Sequence, residues 1–100
     1  MKGNFKKLIS GDKPVLVDFH ADWCGPCKML SPTIKEVAQE MSSQIKVVKI
    51  DVDHNQKVAQ QYGIRSVPTM ILFKNGRTAW RQSGALPKHQ IISEINAALG

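Results

Sequence analysis

The sequence predicts an α/β fold in three layers, with a mixed central sheet between helices on both of its faces. Three observations carry this reading. Helical and strand-like hydrophobic patterns alternate along most of the chain. Val15 to Phe19 is a continuous apolar run broken only by Asp18, which suits a strand covered on both faces. Two later strand-like runs are joined by Asn75-Gly76, the strongest short-range hairpin signal, because both residues accept positive φ. Alternating units call for parallel strands, and the closing hairpin is antiparallel.

The elements follow in the order α-β-α-β-α-β-β-α. Phe5, Leu8 and Ile9 have helical spacing, and Ser10-Gly11-Asp12 ends that segment. The strand from Val15 leads directly into Cys24-Gly25-Pro26-Cys27. Leu30, Ile34, Val37, Ala38 and Met41 then recur with helical period, and Pro32 inside that pattern predicts a kink. Ile45, Val47, Val48, Ile50 and Val52 form a second strand. Val58, Ala59 and Tyr62 mark a short helix that Gly63 stops. Thr69 to Lys74 and Arg77 to Ser83 form the hairpin. Ile91, Ile92, Ile95 and Leu99 make a last amphipathic helix, with Pro87 expected in its first turn.

The 100 residues suit one domain, 1–100, large enough to bury a single core. Lys and Arg number 14 against 8 Asp and Glu, a formal charge of +6. These charges are scattered, with one local cluster at Lys2, Lys6 and Lys7, and no stretch interleaves aromatics with cations as single-strand binders do. The expectation is a solvated basic surface and no nucleic acid partner. No hydrophobic run is long enough to cross a bilayer, so no membrane partner is expected either. Met1-Lys2-Gly3-Asn4 leads to Lys6-Lys7 without an apolar segment, so no signal peptide is read and a cytoplasmic location is expected. Thiols are kept reduced there, so two cysteines are not a structural staple by default.

A Cys-x-x-Cys pair can be half of a zinc site, a redox couple or an accident. A structural zinc site needs four ligands, and this chain has no other cysteine. His20, His54 and His89 do not form a His-x-His-type pair, so no metal is expected, although a site shared between two chains stays open. The strand-then-helix context favours redox chemistry. Cys24 falls at a helix N-terminus, where unpaired N–H groups and the macrodipole stabilise a thiolate, the nucleophilic form. Cys27 lies nearly one turn on, so both sulfurs share a face. The expectation is an exposed, attacking Cys24 and a buried, resolving Cys27. Gly25 permits a tight turn and close approach, and Pro26 fixes φ where its missing N–H costs little. Trp23 either contacts substrate or caps the core. Asp18, inside an apolar strand, is costly unless paired or neutral. It reads as a buried base of raised pKa or as a strand-end carboxylate reaching water.

Asp22-Trp23-Cys24-Gly25-Pro26-Cys27-Lys28 resembles the active-site motif of the thioredoxin family, with Asp22 where many members carry another small or acidic residue. The resemblance runs from about Phe5 to Leu99 through Val15-Leu16-Val17-Asp18-Phe19, Tyr62-Gly63-Ile64-Arg65, Val67-Pro68-Thr69 and Phe73-Lys74-Asn75-Gly76. It implies a thioredoxin-like α/β/α sandwich and a thiol–disulfide oxidoreductase that reduces protein disulfides through a Cys24–Cys27 cycle, without a bound cofactor. Asp18 resembles the carboxylate that takes and returns the proton of Cys27. Lys49 resembles the lysine near that carboxylate, or is a surface lysine. Pro68 resembles the cis-proline that faces the cysteines and presents the backbone of Val67 to an extended peptide, with Gly63, Ile64, Gly84 and Ala85 lining the same surface. Pro32 matches the family's helix kink. The implied partners are disulfide-containing proteins and a thioredoxin reductase, with the chain a monomer. Gly25-Pro26 resembles the reducing members. The alternatives are a disulfide isomerase or oxidase, and a binding module on the same fold.

Two features depart from the family pattern. His20 stands where an aromatic residue, most often tryptophan, is usual. Either it lies near Cys24 and favours its thiolate, or it is a packing replacement. The residues before Val15 read as helix, without the strand that usually precedes it. This predicts a four-stranded sheet, with the Ile45–Val52 strand at an edge that Lys46, Lys49 and Asp51 partly protect.

Overall fold

A computed structural model describes residues 4–100; Lys2 of the basic cluster lies outside the described residues. The eight elements are α1 (Phe5–Ile9), β1 (Val15–His20), α2 (Gly25–Glu40), β2 (Lys46–Asp51), α3 (Gln56–Gln61), β3 (Thr69–Lys74), β4 (Arg77–Ser83) and α4 (Lys88–Leu99). Among the described residues the sheet has four strands in the order β2-β1-β3-β4. β1 pairs parallel with β2 and antiparallel with β3, and β3 pairs antiparallel with β4. The mixed four-stranded sheet and the edge position of β2 are therefore as expected.

Strand alternation sorts the core into two halves. Leu16 of β1 and Met70 and Leu72 of β3 pack with Leu30, Ile34 and Val37 of α2 and with Ile91 and Ile95 of α4. Val15, Val17 and Phe19 of β1 and Ile71 and Phe73 of β3 point the other way, onto Phe5 and Ile9 of α1 and Val58 of α3. Period two thus places Asp18 on the α2 face, with Leu16. On the opposite face the Phe5 ring packs 5.3 Å from Tyr62 and 5.7 Å from Phe73, centroid to centroid, which anchors the short α1. Lys88 bridges α4 to α2 through Glu36 at 3.6 Å and Glu40 at 2.6 Å.

The hairpin turn has φ of 54° at Asn75 and 80° at Gly76, as the dipeptide predicts. Gly63 follows the C-cap of α3 with φ of 62°, the left-handed stop read from sequence. α2 is continuous through Pro32. Pro87 differs from expectation. It is the N-cap of α4, not part of its first turn, with ψ of 152°, and its carbonyl accepts the N–H groups of Gln90 and Ile91. An extended proline can start a helix from outside because the cap position has non-helical dihedrals. No helix among the described residues is long and apolar enough to cross a membrane.

Candidate functional site

β1 ends at His20, and Ala21 to Trp23 carry the chain to α2. Cys24 is the N-cap of α2, with Gly25 and Pro26 in the first two helical positions, where a proline needs no donor. Cys24 and Cys27 form a disulfide with a Cα–Cα distance of 5.3 Å. Cys24 Sγ accepts the backbone N–H of Cys27 at 3.1 Å, so the sulfur occupies the capping position of a helix whose first turn holds no acidic residue. That is an environment for a thiolate.

The exposure expected of Cys24 is not observed. Cys24 is 3% exposed and Cys27 5%. With the disulfide closed, the two sulfurs pack with Ala21, against Val52 and Val67. Cys24 Sγ also touches the carbonyl oxygen of Val67 at 3.6 Å. The Val67–Pro68 peptide bond is cis, as the resemblance implied. Pro68 is buried, and its carbonyl accepts the N–H of Gly84 at 2.8 Å. Gly84 therefore lies against the proline, and Ala85 follows it, exposed. Arg81 donates from β4 to the carbonyls of Tyr62 and Gly63, fixing the turn that leads to Ile64.

Trp23 is 71% exposed, which rules out capping of the core. Its indole N–H donates to Asp53 Oδ2 at 2.8 Å. It lines a shallow pocket of 100 Å³ with Val52, Ile64, Arg65, Ser66 and Val67. The structure thus brings Trp23, Ile64 and Val67 together beside the disulfide.

A second pocket, of 160 Å³, opens on the other side and is lined by His20, Asp22, Cys27, Ser31 and Lys49 among others. Asp18 is 1% exposed, and neither carboxyl oxygen has a hydrogen-bond partner. Burial pushes its carboxyl above the ordinary range, against the opposing pull of Lys49 and His20. The reading of Asp18 as a strand-end carboxylate in water is excluded. Lys49 pairs with Asp18 in the β1–β2 register and donates to Ser31 Oγ at 2.8 Å. It is both exposed and electrostatically coupled to the carboxyl, which joins the two readings of it. His20 lines the same pocket as Cys27 and bears electrostatically on the Asp18 carboxyl.

Sequence reasoning missed Asp53, Asp51 and Ser31. Asp53 is 30 positions from the indole it holds. Desolvation alone would raise the Asp51 carboxyl, but the N–H groups of Asp53 and His54 and the His54 imidazole outweigh it and hold it below the ordinary range. The pairing of β1 with β2 brings Asp51 and Asp53 to the site, and the packing of α2 on the sheet brings Ser31 to Lys49; local spacing carries no signal for either.

A family model described as Thioredoxin matches residues 1–97. The chain belongs to the thioredoxin family. It is similar to a Thioredoxin of Haemophilus influenzae, 48% identical over 89 residues that cover 89% of this chain and 83% of the relative. A Thioredoxin of Pyropia yezoensis is 50% identical over 91 residues, 91% of this chain and 85% of the relative. A Thioredoxin 1 of Nostoc sp. is 51% identical over 94 residues, 94% and 88%. The thioredoxin fold and the close cysteine pair agree with this membership, and the chain is a protein-disulfide oxidoreductase with a redox-active Cys24–Cys27 disulfide. Thioredoxins generally act on disulfide substrates together with a thioredoxin reductase.

Proposed function

We propose that this chain is a monomeric, single-domain, cytoplasmic dithiol reductant that carries electrons from a thioredoxin reductase to protein disulfides, without a bound cofactor. The observation that carries the reading is Cys24 Sγ at the capping position of α2, bonded to the Cys27 N–H, with an unpartnered, buried Asp18 on the face of β1 that α2 covers.

In the reduced protein the Cys24 thiolate attacks one sulfur of a substrate disulfide. A Cys24–substrate disulfide forms, and the first substrate sulfur leaves as a thiolate. Asp18, as a carboxylate, takes the proton of Cys27. The Cys27 thiolate then attacks Cys24 Sγ, the second substrate sulfur leaves, and the Cys24–Cys27 disulfide closes. Two electrons pass to the substrate, and the reductase returns two. Raised basicity from burial suits Asp18 to this task, because a general base works best near the operating pH. Lys49 stabilises its charged form. His20, on the same pocket wall, is a supporting residue.

An extended substrate would lie across Val67 and Pro68, between Trp23 and Ile64 on one side and Gly63, Gly84 and Ala85 on the other. Pairing with the backbone of Val67 gives affinity without demanding a side-chain sequence. This suits a reductant of many proteins.

The test is a Cys27→Ser variant mixed with a disulfide-bonded protein. The reading expects a covalent complex through Cys24, seen by mass spectrometry and dissolved by dithiothreitol. No complex with Cys27→Ser, or an equal complex with Cys24→Ser, contradicts it.

A further inference from the structure

The β1–β2 register pairs His20 with Asp51, and parallel partners put their side chains on one face of the sheet. Asp22 returns to the same place two residues beyond β1. One imidazole nitrogen and two carboxylate oxygens from His20, Asp22 and Asp51 all lie within 4.8 Å of one another. Asp51 is held in place, because its Oδ1 accepts the N–H groups of Asp53 at 2.8 Å and His54 at 3.3 Å. Asp18, buried and without a partner on either oxygen, brings a third carboxyl to this face of β1.

We propose that His20, Asp22 and Asp51 bind one divalent transition-metal ion of the zinc class, at the rim of the pocket that holds Cys27.

Mixed imidazole and carboxylate donors suit zinc, cobalt or nickel better than the softer cuprous ion or the harder calcium. Tetrahedral bonds of about 2.0–2.2 Å place ligand atoms about 3.3–3.6 Å apart, so the three groups need close only modestly around an ion. Asp22 is exposed and free to rotate inward. Three protein ligands leave a fourth position open, as catalytic zinc sites do. Two of the three ligands, His20 and Asp22, line the 160 Å³ pocket. Lys28 and Lys49 line the same pocket and oppose a cation, but the amine of Lys49 is drawn to Ser31. His54 Nδ1 lies 3.2 Å from Asp51 Oδ2, so a bound ion competes with this pair for the oxygen. The expectation of no metal came from the cysteine pair and from histidine spacing. This donor set draws on β1, the turn that follows it and β2, and is invisible to both criteria.

The test titrates the oxidised protein with Zn²⁺ by calorimetry and with Co²⁺ by visible absorption. The intact disulfide withholds both thiolates, so binding cannot come from the cysteines. The expected result is one ion per chain, with affinity reduced about tenfold or more in His20→Phe and in Asp22→Asn. Asp22→Asn is an exposed change that leaves the fold intact, so its result stands if His20→Phe is poorly folded. Absence of saturable binding overturns the proposal. So does binding unchanged in both variants, or binding that His54→Ala abolishes while His20→Phe keeps it.

Discussion

Cys24 Sγ lies 3.1 Å from the backbone nitrogen of Cys27 and accepts its N–H. The same bond is available to a thiolate in the reduced protein, where a charged acceptor makes it stronger. Reduced protein should therefore alkylate at Cys24 first, with a midpoint below the value of about 8.5 for a free thiol. Iodoacetamide rates measured against pH, with peptide mapping of the product, check this. Preferential labelling of Cys27 contradicts it.

Asp18 links stability to pH. Its folded carboxyl titrates above its unfolded value, so the native state holds the proton where the unfolded chain has lost it. Stability is then greatest below the unfolded pKa of about 3.9 and falls as pH rises through the folded one. Asp18→Ala removes the buried charge. It should make the oxidised protein more stable at pH 8, by about 1–3 kcal/mol, with a smaller gain at pH 5. Urea denaturation at both pH values measures the difference. The same variant should slow resolution of the mixed disulfide. A pH-independent gain contradicts the assignment.

The Trp23 indole is oriented by Asp53 across 2.8 Å. Asp53→Ala frees an exposed ring that the account assigns to substrate contact. KM for a protein disulfide should rise about fivefold, equivalent to ~1 kcal/mol, with kcat unchanged. Steady-state kinetics decide, and an unchanged KM argues that Trp23 contributes nothing to docking.

Phe5 fixes α1 to the sheet through Phe19 and Phe73 and to the end of α3 through Tyr62. Phe5→Ala should cost about 3–5 kcal/mol, the usual range for a buried phenylalanine. Denaturation of the oxidised protein measures it. A loss below about 1 kcal/mol would mean that α1 contributes little to the core.

Much of this was legible in the chain because local chemistry decides it. Asn75-Gly76 specifies its turn, the Val15–Phe19 run specifies a covered strand, and Cys-x-x-Cys between strand and helix specifies a capped sulfur. The interruption of an apolar strand by Asp18 exposed its buried carboxyl, because period two assigns it a face. What could not be read depends on which strands meet. The His20–Asp51 pair follows from a parallel register set by the α2 crossover, and the Trp23–Asp53 bond spans the same junction. The burial of Cys24 was missed for a related reason. Its cover comes from Val52 and Val67, on other segments, and local spacing gave only its place at the helix terminus.

The most direct test of the central claim is the equilibrium between dithiol and disulfide in graded thiol buffers, read by mass spectrometry after acid trapping. A reducing couple is predicted. The Cys24–Cys27 disulfide should persist in millimolar glutathione and open in dithiothreitol, each 30 mV of difference being worth about 1.4 kcal/mol for two electrons. A disulfide that glutathione opens readily would contradict the account and identify an oxidant or isomerase instead.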